Sequence, residues 1–404
     1  MRTVGLTMRS ERKRAVKKRY GTDRGLRATA RLSAVAVLAV GAAALAGTAT
    51  AQAAAPAATA PHWKVVYRTH STTDGEMVSV TAPTKNDAWA VGVSDAQPII
   101  LNWNGSKWKP TKVPDTTGFE PTIPTAVDAT SPGNVWIFGI AVHSASDTAV
   151  PQAHVWNGTT KKWRTIDLPT LGFGESAVVG AADVWGDPLS SQGCYALPAR
   201  STCLYHWNGT EWAETKVAGV YTTDMTAVGR HAWFLGLTGL RHPGSFNPSG
   251  IPVIYEATNG RLRKVPAPAD RIQSFDSSIV AAPDGQLWVE ASLATATAPE
   301  TLFHWTGKHW TATPILVVHD GFPTVSGKMA YDGKSGVWVS PFQHWTGSKW
   351  VSTYTSSLPF AADVSLNAVA PIPGSASIWA AGGIFRTASG GNMDPLVAAY
   401  GPLP

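Results

Sequence analysis

Residues able to do chemistry are scarce in this sequence. Two cysteines occur among 404 residues, Cys194 and Cys203, nine apart in "GCYALPARSTC". Metal ligation by these two alone is not expected, because a structural site takes four ligands. Neither H-E-x-x-H nor G-x-S-x-G occurs, which excludes the common signatures of zinc proteases and of elbow-type serine hydrolases. One long apolar run is present, "LSAVAVLAVGAAALAG", alanine-rich and barely long enough to span a bilayer. A net excess of positive charge is also missing from the body of the chain. The total is +6, but residues 1–31 hold eleven Lys/Arg against Glu11 and Asp23, so the rest of the chain is near −3. Nucleic acid is therefore not an expected partner.

The basic stretch, the apolar run and the Ala51-Gln52-Ala53 site together read as a secretory signal peptide over 1–53, followed by a flexible mature N-terminus over 54–61 and a single domain over 62–404. The expected product is a secreted monomer with no membrane attachment after cleavage. In an exported chain, Cys194 and Cys203 read as a disulfide closing a small loop.

Tryptophan is plentiful, and it repeats. "NWNGSKW" at 102–108 is echoed by "VWNGTTKKW" at 155–163, "HWNGTEW" at 206–212, "HWTGKHW" at 304–310 and "HWTGSKW" at 344–350. A second series, Trp89, Trp136, Trp185, Trp233, Trp288, Trp338 and Trp379, recurs at a mean spacing of about 48 residues, a period typical of blade or solenoid repeats. A short β-branched run precedes each of these tryptophans, so each unit reads as four strands, A to D, with the opening phrase as the C–D hairpin. If Gly105-Ser106 form its turn, Trp103 and Trp108 stand opposite each other on one face. Tyr255 with Leu262, and Tyr400, are degenerate versions of the pair in the fourth and seventh units.

The last unit stops after its C strand, while "HWKVVYRT" at 62–69 matches a D strand, with Trp63 in the place of Trp108. All eighteen tryptophans then have a repeat position. A closed ring leaves no open sheet edge, unlike a linear solenoid. The expected fold is an all-β, seven-bladed β-propeller closed by the N-terminal strand pairing into the last blade.

Propeller enzymes leave marks that are missing here. The glycine doublet of kelch blades occurs once, at Gly382-Gly383, and residues 282–288 approach a sialidase Asp-box at the wrong spacing. Copper radical oxidases need a Tyr/His constellation with a cross-linked cysteine, and both cysteines here are expected to pair. His154, His206, His304 and His344 recur once per blade, which marks them as structural. Four acidic residues precede the A strands at regular spacing: Glu76, Glu175, Asp224 and Asp276, with Glu120, Asp320 and Asp363 in equivalent loops at looser spacing. Converging at a channel mouth, they would repel, or bind Ca²⁺ or a basic partner; splayed outward they would be ordinary turn residues. No catalytic residue, metal site or cofactor is expected.

From B-strand Trp to C-strand aromatic the separation ranges from 7 residues in the sixth unit to 22 in the third and fourth. Long loops on a rigid scaffold are where function sits. His143, Arg241, His242, Phe246 and Arg386 are the loop residues expected to contact a partner.

"NDAWAVG" and "HWNGTEW", repeated behind an alanine-rich leader, resemble a family of secreted actinobacterial β-propellers of the dispase-autolysis-inducing type. The resemblance covers the whole mature chain, through packing residues. It implies a non-catalytic extracellular protein that binds a thermolysin-like metalloprotease and donates glutamines to microbial transglutaminase. Gln97, Gln152 and Gln192 fall in B–C loops and would be the donors. The alternative is a carbohydrate-binding or polysaccharide-degrading propeller using the acidic residues, although no tryptophan is left in a loop as a sugar platform.

Overall fold

In the computed structural model, alternating apolar residues and turn-forming Gly, Asn and Asp produce twenty-eight strands among the described residues. The structure describes residues 61–403 except 116, 147, 171, 189–201, 242–247, 295–299, 316–327, 340–341, 354–363 and 387–391, and of 274–276 only the backbone. No helix occurs among the described residues. Thr59–Pro404 form one compact unit.

After β1 (Trp63–Arg68) the strands come in fours: β2 (Gly75–Thr84), β3 (Asp87–Ser94), β4 (Gln97–Trp103) and β5 (Trp108–Pro110); then β6 (Ile123–Ser131), β7 (Asn134–His143), β8 (Thr148–Asn157) and β9 (Lys162–Asp167). Next are β10 (Phe173–Gly180), β11 (Asp183–Pro188), β12 (Thr202–Trp207) and β13 (Trp212–Val217), and β14 (Tyr221–Val228), β15 (His231–Arg241), β16 (Ser249–Thr258) and β17 (Arg261–Val265). The C-terminal half has β18 (Ile272–Ala281), β19 (Leu287–Leu293), β20 (Glu300–Trp305) and β21 (Trp310–Pro314), followed by β22 (Ala330–Tyr331), β23 (Val337–Val339), β24 (Gln343–Trp345) and β25 (Trp350–Ser352). The last three are β26 (Val364–Pro371), β27 (Ile378–Phe385) and β28 (Met393–Tyr400).

The result is a β-propeller of four-stranded antiparallel blades. Hydrogen bonding divides it into six sheets, five of four strands and one of eight, rather than seven separate ones. The reason is local: β16 starts early enough for Ser249 and Gly250 to pair with Gln273 and Ile272 of β18, which fuses two sets. The first strand of each set lies beside the first strand of the next, β26 lies beside β2, and β1 pairs with β28, Trp63 opposite Tyr400.

The repeated phrase forms the outer hairpin. Trp103 faces Trp108, and the pairs 156/163, 207/212, 305/310 and 345/350 face each other likewise. Asn104 Oδ1 accepts from the Ser106 and Lys107 N–H groups while Gly105 takes a φ of 88°, and Asn208 and Gly209 repeat the device. Asn caps its own turn and Gly supplies the left-handed residue. Each pair then packs on the second-strand tryptophan of the preceding set. Trp103 and Trp108 meet Trp379 at 5.0 and 5.1 Å, and Trp207 meets Trp136 at 6.3 Å. Such tilted and edge contacts are the favourable aromatic geometries. The phrase recurs because each interface between sets needs it.

The degenerate pair of the fourth unit needs correction. Ala257, not Tyr255, stands opposite Leu262, and Tyr255 pairs with Lys264. Ala257 and Leu262 pack in the cluster of Trp185, with the smaller alanine where other sets have an aromatic ring.

Candidate functional site

The first strands carry the candidate carboxylates, and bulges aim them. Register shifts occur between Phe173 and Glu175 in β10 and between Thr222 and Asp224 in β14. A bulge re-aims the side chain beside it, and here those side chains are Glu175 and Asp224. Both reach Lys328, which lies just before β22: Nζ is 2.5 Å from Glu175 Oε2 and 3.6 Å from Asp224 Oδ1. The lysine thus bridges from one set to two others.

Asp224 is otherwise spent on its own and a neighbouring strand. Its Oδ2 accepts from Ser278 Oγ and from the Ile279 N–H at 2.8 Å, and its Oδ1 from the Met225 N–H at 2.8 Å. Ser278 Oγ in turn accepts from the Met329 N–H at 3.2 Å. Asp128 on β6 does the same for β10, accepting from the Val178 N–H at 2.9 Å. Ser79 Oγ donates to Val127 O, and Asn367 Nδ2 donates to Met77 O and Glu76 Oε2. Polar side chains therefore tie neighbouring first strands together as a belt, which explains why buried or half-buried polar groups are tolerated there.

Of the four expected acidic residues, the structure brings Glu175 and Asp224 together. Glu76 sits on β2 against Asn367, and the side chain of Asp276 lies outside the described residues, as do Asp320 and Asp363. Sequence reasoning missed Lys328 and Asp128. The only signal for Lys328 was a lysine in a first-strand segment, "TVSGKMA", where the other sets carry small, hydroxylic or acidic residues.

The electrostatics stem from crowding. Burial raises the Glu175 carboxyl to about 7; Lys328 pulls it down and Asp224 pushes it up. Burial also raises Asp128, against hydrogen bonds from Val178 and Ala129 and the charge of Lys328. Burial disfavours the Lys328 ammonium, but Glu175 and Asp224 outweigh that and raise it overall. Glu175 and Asp224 share the Lys328 ammonium, whereas a glycosidase keeps its two carboxyl groups, roughly 5–9.5 Å apart, free for the sugar and water. The arrangement suits charge pairing with Lys328 and strand bracing.

This makes stability depend on pH. Because the folded pKa of Glu175 lies above its ordinary 4.5, its contribution to stability is fullest below 4.5 and is lost as pH rises to about 7. Lys328→Met should push the Glu175 pKa higher still and carry that loss into more alkaline solution. Thermal unfolding across a pH series checks this, and superimposable profiles for the two proteins would refute it.

The recurrent histidines are structural in two ways. His206, His304 and His344 stack on Trp185, Trp288 and Trp338 with ring centroids 4.3, 4.6 and 4.3 Å apart. His154 is not their equivalent: it pairs with Ile137 and not with Trp136, because "HVW" shifts it by one residue and so to the other face. It is fully buried between Thr122 and Thr165, and burial lowers its pKa to about 4.

The expected contact loops fare unevenly. His143 ends β7, its ring packed edge-on against Phe119 and bonded to the 145–146 turn. Arg241 is exposed at the end of β15. His242 and Phe246 lie outside the described residues. Arg386 is a correction: its Nε donates to Asp394 Oδ1 at 3.0 Å in a buried charge cluster, so it is fixed rather than free. Gln97 is exposed at the start of β4. Gln152 is a second correction: it is 2 % exposed within β8 and donates to Asp167, not part of a loop. Gln192 and Cys194 lie outside the described residues, and Cys203 is buried on β12. No group of three or more His, Cys, Asp or Glu arranged to hold a metal ion occurs among the described residues.

No family model matches the chain, and no curated protein matches it. Solved structures do share the fold. "YCF48 bound to D1 peptide" superposes with a TM-score of 0.51 at 13% identity, over 84% of this chain and 97% of that one. "Structure of U3-55K" and "Crystal structure of RRP9 WD40 repeats" each give a TM-score of 0.50 at 9% identity over 85% of this chain, and over 100% and 98% of theirs. At such identities the likeness is one of fold.

Proposed function

We propose that this chain is a secreted, non-catalytic propeller that binds another protein outside the cell. Counted by strand sets, the fused eight-stranded sheet makes two blades, and the reading is of seven blades in a ring that β1 closes. The observation that carries the proposal is the use of the inner carboxylates. Asp128 and Asp224 are occupied by backbone N–H groups of adjacent strands and Glu175 by Lys328, so the residues best placed for catalysis hold the scaffold together. The sequence has long segments between the second and third strands of several sets, and the structurally similar YCF48 was solved with a peptide bound.

The finer reading is that the partner is a thermolysin-like metalloprotease, that Gln97 or Gln192 serves as a transglutaminase donor, and that Cys194 pairs with Cys203. Gln152 is withdrawn as a donor because it is buried. The test is capture from culture supernatant on the purified chain, with bound species identified by mass spectrometry. Recovery of a metalloprotease whose autolysis quickens with added chain is expected. An empty capture together with reducing-sugar release from a polysaccharide panel, abolished in Glu175→Gln, would replace the proposal with the enzymatic alternative.

A further inference from the structure

Charge in this protein is sorted by strand. The outermost strands with their turns and immediate flanks, residues 62–68, 104–112, 158–167, 208–217, 259–265, 306–314 and 346–352, hold fourteen Lys/Arg against three Asp/Glu. The remainder of 54–404 holds eight against twenty-two. All fourteen outer cations are exposed. Carboxylates engage Arg68, Arg263 and Lys216, and Arg164 lies over the Trp207 ring. Lysines on edge strands deter strand-to-strand aggregation, but that role does not explain why three cations are grouped about each of β5, β9 and β17.

From this rim we infer a binding surface for a linear polymer of repeating phosphate groups that carries no bases. The pattern favours a flexible polyanion over a compact acidic protein, because the cations recur on every set, while a globular partner would meet only one or two. Ten of the fourteen are lysines, point donors that suit phosphate oxygens without the bidentate geometry of arginine. Nucleic acid fits poorly, since single strands need aromatic platforms for their bases. The outer-strand tryptophans, Trp63, Trp108, Trp163, Trp212, Trp310 and Trp350, are all packed into clusters between sets. The rim therefore offers charge without stacking. This surface is independent of the proposed protein partner.

The test is binding of the purified chain to long-chain inorganic polyphosphate at several salt concentrations, beside single-stranded DNA and polyglutamate. Expected is binding that weakens steeply with salt and is tightest for polyphosphate. The variant K107E/K109E/K161E/K162E should bind at least tenfold more weakly, with the log–log salt slope reduced by about 3, since each lost phosphate contact removes about 0.7 for single-stranded polyanions. Glu175→Gln should bind like the parent, and thermal unfolding checks that both variants fold. No binding at low salt, unchanged binding by the four-lysine variant, or equal or tighter binding of DNA or polyglutamate would overturn the inference.

Discussion

Deleting residues 54–69 should destabilise the chain more than any single substitution, and the loss should appear as a lower unfolding midpoint together with new proteolytic cleavage in β28. The segment contains β1, which forms the outer ladder of the last sheet from Trp63–Tyr400 to Arg68–Leu396. Without it, β28 becomes an exposed edge on a long apolar strand, the kind of edge proteins protect. Trp63 is 4 % exposed, lies 5.6 Å from Phe342 and 5.5 Å from Tyr400, and donates from Nε1 to Thr353 Oγ1 at 3.1 Å. Trp63→Ala alone should cost about 3–5 kcal/mol, the range for emptying a large buried aromatic site, and the deletion should exceed it. Scanning calorimetry of parent, substitution and deletion orders the three. Equal midpoints for parent and deletion would remove the argument that the N-terminal strand fastens a ring.

The parts of this structure legible in the sequence are those governed by short-range rules. The hairpin tryptophans were legible because a turn of fixed length puts Trp103 opposite Trp108 whatever surrounds it. Trp63 was legible because it completes a periodic set. Positions where packing overrides the pattern were not legible. Ala257 takes an aromatic position because Trp185 and its neighbours fill the space, and Tyr255, the only aromatic nearby, misdirected the alignment by two residues. His154 resembled its counterparts in composition and differed in register.

The candidate site was half legible for a similar reason. Spacing put Glu175 and Asp224 just ahead of the first strands, but nothing local says that a lysine three sets from one and two from the other closes on both. Arg386 misled in the opposite direction. It lies in a sequence with every mark of an exposed loop, "IFRTASGGNMDP", and its partner Asp394 gathers groups more than 300 residues away.

Asp394 is the second position where a large effect is expected. It is 2 % exposed, and its carboxylate accepts from Arg68 at 2.9 Å, the Ser71 N–H at 3.1 Å and Arg386 Nε at 3.0 Å, with His70 Nδ1 at 3.3 Å. These groups connect the loop after β1 to β27 and β28. Beside them, Asp95 accepts from the Thr72 and Thr73 N–H groups, which hold its carboxyl far below the usual range, and Asp74 Oδ1 accepts from the Met393 N–H. The loop from 69 to 75 is thus anchored on both sides, and Asp394 is the anchor buried deepest.

Removing one partner from a buried ionic cluster strands the others, at about 3–5 kcal/mol, so Asp394→Ala should lower the midpoint by the order of 10 °C. Asp394→Asn keeps the shape and one acceptor for Ser71 but loses the charge that faces two guanidinium groups, and should fall between. The pH profile separates charge from packing. Burial raises the Asp394 carboxyl, but Ser71, Arg68 and Arg386 overcome that and lower it from 3.8 to about 2. A depressed carboxyl stabilises the fold above its ordinary pKa and ceases to do so as pH falls through the lower value. The parent should therefore lose this contribution between pH 3.8 and about 2, while Asp394→Asn lacks it throughout. The difference between parent and Asp394→Asn should shrink across that interval. A difference that stays constant from neutral pH down to about 2 would mean that Asp394 holds the N-terminal strand by shape rather than by charge.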